Sequence, residues 1–279
     1  MELLHQPPVD LSAPSDLSIA FSIFCGLIFA GATFWALAQA AKGDWIGVLA
    51  IAGGLIASLL EPMLDNLGLL WFFSDNELVV IEAFSRHIPA YVVFGYGFFF
   101  GAEAYVVYRL LLAGRGRKAL WSFYAFGWFL DLLLESIGHW CDLYLYYGPQ
   151  PFNLYGIPLW WMFINPALAI LAGAVYYAMR DSLHGWRVLV AVPLLPMCYG
   201  AVYGAVGWPI FTALNTDVST FVIYLAATAT IVMSLLLTEL TIRGVERVRR
   251  AEFAESWAPV GTGAATDGAE AAATAAQRS

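Results

Sequence analysis

The sequence predicts an all-α protein, a polytopic membrane bundle of seven transmembrane helices with its N-terminus outside and its C-terminus cytoplasmic. Three observations predict it. The chain of 279 residues is 61% hydrophobic and only 12% charged, against about 25% charged in a soluble domain. Seven apolar stretches approach the ~20 residues that a helix needs to cross ~30 Å of hydrocarbon. The basic residues fall almost entirely on alternate connections, the bias that cytoplasmic loops carry.

Residues 1–16 form an expected extracytoplasmic segment. Glu2, Asp10 and Asp16 stand where a secretory signal has its basic region, so the first apolar segment is expected to stay. The first span, Leu17 to Ala41, carries no charge. The second runs from about Trp45 to Phe73, with Glu61 and Asp65 in its outer part and Pro62 removing a helical hydrogen bond there. The third runs from about Ile88 to Leu112 and contains Glu103. The fourth is Ala119 to about Trp140. A Pro/Gly/Tyr-rich loop precedes the fifth, Pro158 to Met179. The sixth covers about Arg187 to Val206 and the seventh about Val218 to Arg243. The membrane domain is thus placed at 17–245. From Ala251 to Ser279 the chain turns Ala/Gly/Thr-rich, cannot bury a core, and is expected to be a disordered cytoplasmic tail.

With the N-terminus outside, Lys42, Arg109, Arg115, Arg117, Lys118, Arg180, Arg187 and the basic residues from Arg243 onward all lie inside. Only Arg86 lies outside. The cell membrane is the expected location. The net charge of -8 says little about partners, because several acidic residues lie in the tail or the membrane. No basic run suggests nucleic acid. Cys25, Cys141 and Cys198 are scattered and odd in number, against a disulfide framework. Gly97-x-x-x-Gly101 and Gly200-x-x-x-Gly204 read as close helix contacts. A retinal protein would need a lysine in the last helix, and Lys42 and Lys118 are the only lysines. The oligomeric state is left open.

The polar residues inside the spans carry the functional signal. A charge at bilayer depth costs at least ~2.5–3.5 kcal/mol and usually marks function. Asp131, Glu135, His139 and Asp142 fall on one face of the fourth span at ~100° per residue. Asp131 sits near mid-membrane, with the others progressively nearer the outer surface. Glu61 lies ~24 Å along the second span at 1.5 Å per residue, and Asp65 is one turn further. Arg86 and His87 open the third span, and Asn165 lies in the outer half of the fifth. Glu61, Asp65, Arg86, His87, Glu135, His139, Asp142 and Asn165 share roughly one depth on four spans and imply one polar pocket opening outward. Trp71, Tyr144, Tyr146, Tyr147, Tyr155, Trp160 and Trp161 crowd the same level, either as an interfacial aromatic belt or as pocket lining around an apolar substrate or a cation-like intermediate.

Each group also has a purely structural explanation. Glu135 and His139 could be an i,i+4 ion pair. Glu61 and Asp65 could cap a broken helix or bind Arg86. Asp142 and Arg86 could be solvated at the rim, and Asp131 could bond a neighbouring helix. Glu103 and Glu239, nearer the inner side, read as paired or snorkelling. As chemistry, a carboxylic acid in a dry pocket can donate a proton at neutral pH. A second carboxylate can accept one or stabilise developing positive charge. That equipment fits cofactor-free acid–base work on a lipophilic molecule. Metal is the chemical rival, with Glu135-x-x-x-His139 at helical ligand spacing and His87 and Asp65 to complete a site. Four histidines are too few for a His-rich di-iron oxygenase. No nucleophile-elbow or phosphate-loop motif is present.

Glu61-Pro-Met-Leu-Asp65, Phe84-Ser-Arg-His-Ile-Pro89 and the Asp131…Glu135…Gly138…Asp142…Tyr147-Gly148 stretch resemble the AveC-like spirocyclase family. The resemblance covers about Trp45 to Val245. It implies spiroketal formation from a dihydroxy-ketone polyketide, in some members with dehydration, as part of secondary metabolite biosynthesis. It carries no catalytic assignment. Glu135-x-x-Gly138, the Tyr-rich loop and Gly156-Ile-Pro158-Leu-Trp160 are similar to membrane carotenoid hydratases over about Glu135 to Pro166, but this leaves Glu61 to Asp65 unexplained. Both resemblances imply acid-assisted chemistry on a long hydrophobic molecule.

The expectation is therefore a membrane-embedded cyclase without cofactor or metal. Glu135 is its acid and His139 the partner. Glu61 and Asp65 activate the attacking hydroxyl or stabilise cation. Arg86, His87, Asp142, Asn165, Tyr147, Trp160 and Trp161 bind substrate. The alternative class is a proton-coupled transporter of a lipophilic small molecule, since intramembrane carboxylates suit proton coupling equally. No evident repeat or matched pair of broken helices supports it. A structural or sensory membrane protein is the third class.

Overall fold

The computed structural model describes residues 4–73 and 75–256. Seven helices in it are long and apolar enough to cross a membrane, the architecture of a multi-pass membrane protein. They are α1 (Ser15–Ala40), α2 (Ile46–Gly68), α3 (Ala90–Leu112), α4 (Arg117–Trp140), α5 (Leu159–Met179), α6 (Gly185–Leu214) and α7 (Thr220–Ser256). Residues up to Arg243 form one compact unit; Gly244 begins a second, described to Ser256 as helix.

Three boundaries differ from the sequence expectation. The second span stops at Gly68 because Leu69 adopts a left-handed conformation (φ 56°) and its N–H caps the Asp65 carbonyl, so Leu70–Phe72 leaves as a strand rather than a last helical turn. The sixth runs on to Leu214, with Pro209 accommodated inside it. The seventh continues past Arg243, so residues 251–256 are helical and not tail. The remainder of the expected tail, 257–279, lies outside the described residues.

The all-α expectation misses the connections. β1 (Leu70–Phe72) pairs antiparallel with β4 (Tyr144–Tyr146), β2 (Val79–Ala83) with β3 (Arg86–Pro89), and β5 (Asn153–Leu154) with β6 (Ile157–Pro158). Two of these are hairpins with two-residue turns. Phe84 and Ser85 both have positive φ, as do Tyr155 and Gly156, the requirement of a type I′ turn. The β1–β4 ladder joins the α2–α3 connection to the α4–α5 connection in register Leu70↔Tyr146 and Phe72↔Tyr144. Asn215, after α6, donates to the Leu67 carbonyl. Three connections therefore gather at one end, the strand-bearing end.

α5 is buried along most of its length, and α2 packs between α1, α3 and α6. Close approach depends on glycine at a few points. A Cβ on Gly101 would stand 2.7 Å from both the Ala50 carbonyl and the Ile51 Cα, and one on Gly53 would meet the Val192 carbonyl at 2.6 Å. Two departures from regular helix matter for the site. Ser58–Leu60 is a 3₁₀ turn just ahead of Glu61 and Pro62, which accommodates the N–H that proline lacks. Tyr96–Ala102 is a π-helical turn in α3, a widening found mostly at functional sites. The two polar residues that bracket it face different neighbours: Tyr96 meets α2 and α6, whereas Glu103 lies beside Gly127 of α4.

Candidate functional site

At the strand-bearing half of the unit lies a cavity of about 90 Å³. Three carboxylates face it, Glu61 from α2 and Asp131 and Glu135 from α4, with Asn165 from α5 and Tyr199 and Tyr203 from α6. Its other walls are aromatic and apolar, including Phe72, Tyr91, Phe99, Phe100, Tyr144 and Trp161. No Lys or Arg lines it among the described residues.

The polar groups form two linked sets. Tyr96 donates to the Glu61 carboxylate and its oxygen also meets the Tyr199 hydroxyl. Tyr203, stacked on Tyr199 with ring centroids 4.4 Å apart, donates to Asn165 Oδ1, and Asn165 Nδ2 donates to Asp131 at 2.7 Å. Glu135 is held separately: Tyr144 and Tyr146 donate to its Oε2 at 2.9 and 3.0 Å. Gly138 makes this possible, because a Cβ there would stand 2.6 Å from the Tyr144 ring, which folds back over α4. Burial, and then the charge of Glu135, push the Tyr144 and Tyr146 phenols well above the ordinary tyrosine value, so both remain neutral donors.

The expected residues divide. Glu61, Glu135, Asn165 and Trp161 come together on the cavity, and Asp131, for which a bond to a neighbouring helix is one of the alternatives, both makes that bond and lines the cavity. No side-chain hydrogen bond caps the start of the Glu61–Gly68 segment among the described residues. Asp65 is fully buried with neither carboxylate oxygen hydrogen-bonded among the described residues. Arg86 is buried rather than solvated at the rim. It donates to the Tyr147 hydroxyl at 2.7 Å, lies 4.9 Å over the Trp71 ring, and leaves its Nε without an acceptor among the described residues. Burial raises the Tyr147 phenol, against the lowering influence of Arg86. Trp160 is buried behind Trp161 and donates to Gln150 at 3.4 Å.

His139, His87 and Asp142 stand apart from the cavity. His139 forms no ion pair with Glu135; its Nδ1 lies 3.4 Å from the Tyr144 carbonyl and its ring covers Gly156. His87 pairs with Glu82 across the β2–β3 hairpin at 3.6 Å. Asp142 is exposed with φ 53°. The four groups of the metal alternative are thus not brought together, and no group of three or more His, Cys, Asp or Glu among the described residues is placed to hold a metal ion.

Sequence reasoning missed Tyr96, Tyr199 and Tyr203. Their signal was present: Tyr199-x-x-x-Tyr203 places two hydroxyl-bearing rings on one helical face, and a buried tyrosine hydroxyl needs a partner. Of the aromatic residues at this level, only Tyr155, 80% exposed at a hairpin tip, fits an interfacial belt. No protein-family model, no curated protein and no solved structure matches the chain.

Proposed function

We propose that the chain is a membrane-embedded acid/base cyclase, related to the AveC-like spirocyclases, that closes a ring on a lipophilic polyketide- or isoprenoid-like substrate without a cofactor. The carrying observation is the convergence of Glu61 and Glu135, from two helices, on one aromatic-walled cavity, each bonded to a tyrosine hydroxyl. Such a site can hand a proton to a leaving oxygen and take one from an attacking hydroxyl.

In this scheme one substrate hydroxyl adds to the ketone carbon and gives a hemiketal. Glu135, protonated, donates to the hemiketal oxygen, the C–O bond breaks and water leaves. The oxocarbenium-like carbon faces three carboxylates and aromatic rings, which favour positive charge. The second hydroxyl attacks that carbon and passes its proton to Glu61, with Tyr96 and Tyr199 as hydroxyl neighbours. One water is lost overall. His139 acts by packing the α4–α5 connection and not as proton partner. Arg86 and Tyr147 join the α2–α3 connection to the α4–α5 connection beside the site.

The distribution of Lys and Arg supports an orientation with the strand-bearing end outside and the C-terminus cytoplasmic, in the cell membrane. The test is lipid-fraction metabolomics of a deletion strain against a Glu135→Gln strain, followed by turnover of the accumulated precursor by protein in nanodiscs. Matching precursors in both strains support the proposal. Full turnover by correctly inserted Glu135→Gln and Glu61→Gln variants overturns it.

One observation favours proton-coupled transport as a second reading. Glu103 is buried beside Gly127, one turn from Asp131 on α4, with Oε2 unpartnered among the described residues, so carboxyls continue deeper than the cavity. Proteoliposomes decide between them: precursor-driven acidification without chemical change indicates transport, and a product lighter by one water indicates the cyclase.

A further inference from the structure

The cavity is too small for the substrate just proposed. Small-molecule sites enclose ~300–1,000 Å³, and this one measures about 90 Å³. It has room for the reacting atoms and not for a long chain. Toward the strand-bearing end it is bounded by Phe72 and Tyr144, which are paired across the β1–β4 ladder. On another side its wall is the stacked Tyr199–Tyr203 pair. The far side of that same pair belongs to a second hollow of about 310 Å³ between α2 and α6, lined by Leu60, Met63, Gly200 and Gly204 among others. A Cβ at Gly200 or Gly204 would have no neighbour within 4 Å among the described residues. This glycine pair therefore opens a trough, where the sequence suggested a helix contact.

We infer that the α2–α6 trough binds the aliphatic chain of the molecule whose oxygenated end occupies the cavity, the Tyr199 and Tyr203 rings, which line both hollows, turning aside to let the chain pass. The inference rests on the proposed reaction for the identity of the head, and on the two hollows alone for the place of the tail. The chemistry of the walls selects the occupant. The lining is aliphatic and aromatic apart from Thr212, no Lys, Arg, Asp or Glu lines it among the described residues, and Met63 and Trp208 leave it open laterally. Together the two volumes reach the size of an ordinary ligand site, and a chain can lie in the trough without crossing the strand-bearing end.

The test uses a long-chain primary alcohol bearing a diazirine at its far end, with wild-type protein in nanodiscs, irradiation and peptide mapping. The expected result is labelling of the 60–67 and 200–212 segments that saturates and is displaced by the unlabelled alcohol. A Gly200→Leu/Gly204→Leu variant should lose that labelling, and so should Met63→Trp, which fills the trough from the opposite helix. Gly200→Ala/Gly204→Ala and Glu135→Gln should keep it. Labelling that does not saturate and spreads over α1 and α7 is bulk lipid contact and overturns the inference, as does saturable labelling that survives both filling variants. If the labelling behaves as expected while Glu135→Gln keeps full turnover, the acid/base proposal falls and the trough stands. If the carboxylate variants lose turnover and the trough is unlabelled, only the trough falls.

Discussion

Glu135 is gripped by two phenols, whereas Asp65 is gripped by none, and the difference separates their expected roles. Replacing Glu135 with Gln keeps a hydrogen-bonding group of the same shape but removes the exchangeable proton. Turnover should fall ~10²–10⁴-fold, the range for a lost general acid, with the elution profile in detergent unchanged. Gly138→Val pushes the Tyr144 ring off α4 and should reproduce much of that loss without touching a carboxylate; an unchanged rate in that variant would show that Tyr144 does not position Glu135. The phenols also give a pH dependence. In the unfolded chain they ionise near ~10, whereas in the folded chain burial and the Glu135 charge hold them protonated well beyond that. Above ~10 the unfolded state therefore binds fewer protons than the folded state, and stability falls as pH rises. Below that value their contribution is complete. A Tyr144→Phe/Tyr146→Phe variant should show a shallower alkaline decline in thermal midpoint than the wild type.

At the scale of elements, two Gly-x-x-x-Gly motifs with the same sequence signature do opposite things. Gly101 meets backbone of α2, which cannot yield, so Gly101→Ala should lower stability by ~1–3 kcal/mol as overpacking does. Gly204→Ala faces open space and should be neutral or slightly stabilising, because glycine in a helix costs ~0.5–1 kcal/mol relative to alanine. Thermal unfolding of the two variants side by side checks this. Nothing in the sequence distinguishes them, since what differs is the residue on the facing helix. The spans themselves were legible, because twenty apolar residues have few alternatives in a membrane protein. The hairpins were not. Phe84-Ser85 is an unusual pair for a turn that needs two positive φ angles, which glycine and asparagine normally supply. The carboxylates are legible as charge in apolar text, and Tyr144 and Tyr146 as aromatic residues at their level, but Tyr96, Tyr199 and Tyr203 lie in apolar helix text, where a tyrosine reads as one more hydrophobic residue. Helical spacing puts His139 on the Glu135 face of α4 but leaves the direction of its ring open, and the ring turns to the Tyr144 carbonyl and Gly156.

Across the whole unit, the strand-bearing end is tied together by Asn76. It accepts from Ser18 of α1 at 3.0 Å and donates to the Phe73 and Leu143 carbonyls at 2.9 and 2.8 Å. One side chain thus joins the first helix to both connections of the β1–β4 ladder. Asn76→Ala removes these three buried hydrogen bonds, each worth ~0.5–1.5 kcal/mol net, while the two carbonyls keep their backbone donors. It should depress the thermal midpoint and loosen the cavity mouth, seen as faster hydrogen exchange at Phe72 and Tyr144. Orientation belongs to this scale as well. A C-terminal reporter active only in the cytoplasm should be active, and one active only outside the cell should be silent; the reverse pattern would invert the proposed topology.

The Tyr96–Tyr199 contact spans 103 positions of chain, and this has a consequence for biogenesis. α2 delivers Glu61 to the lipid early in synthesis, and Tyr96 follows one helix later. Tyr199 and Tyr203 emerge only with the sixth helix, after Asp131 and Asn165 are already in place. Each carboxyl has its direct partner by the fifth helix, but until the sixth arrives the Tyr96 hydroxyl and the Asn165 side-chain carbonyl wait in the membrane without theirs. Chains arrested after α5 should be recognised as orphaned and degraded, whereas chains arrested after α6 should persist.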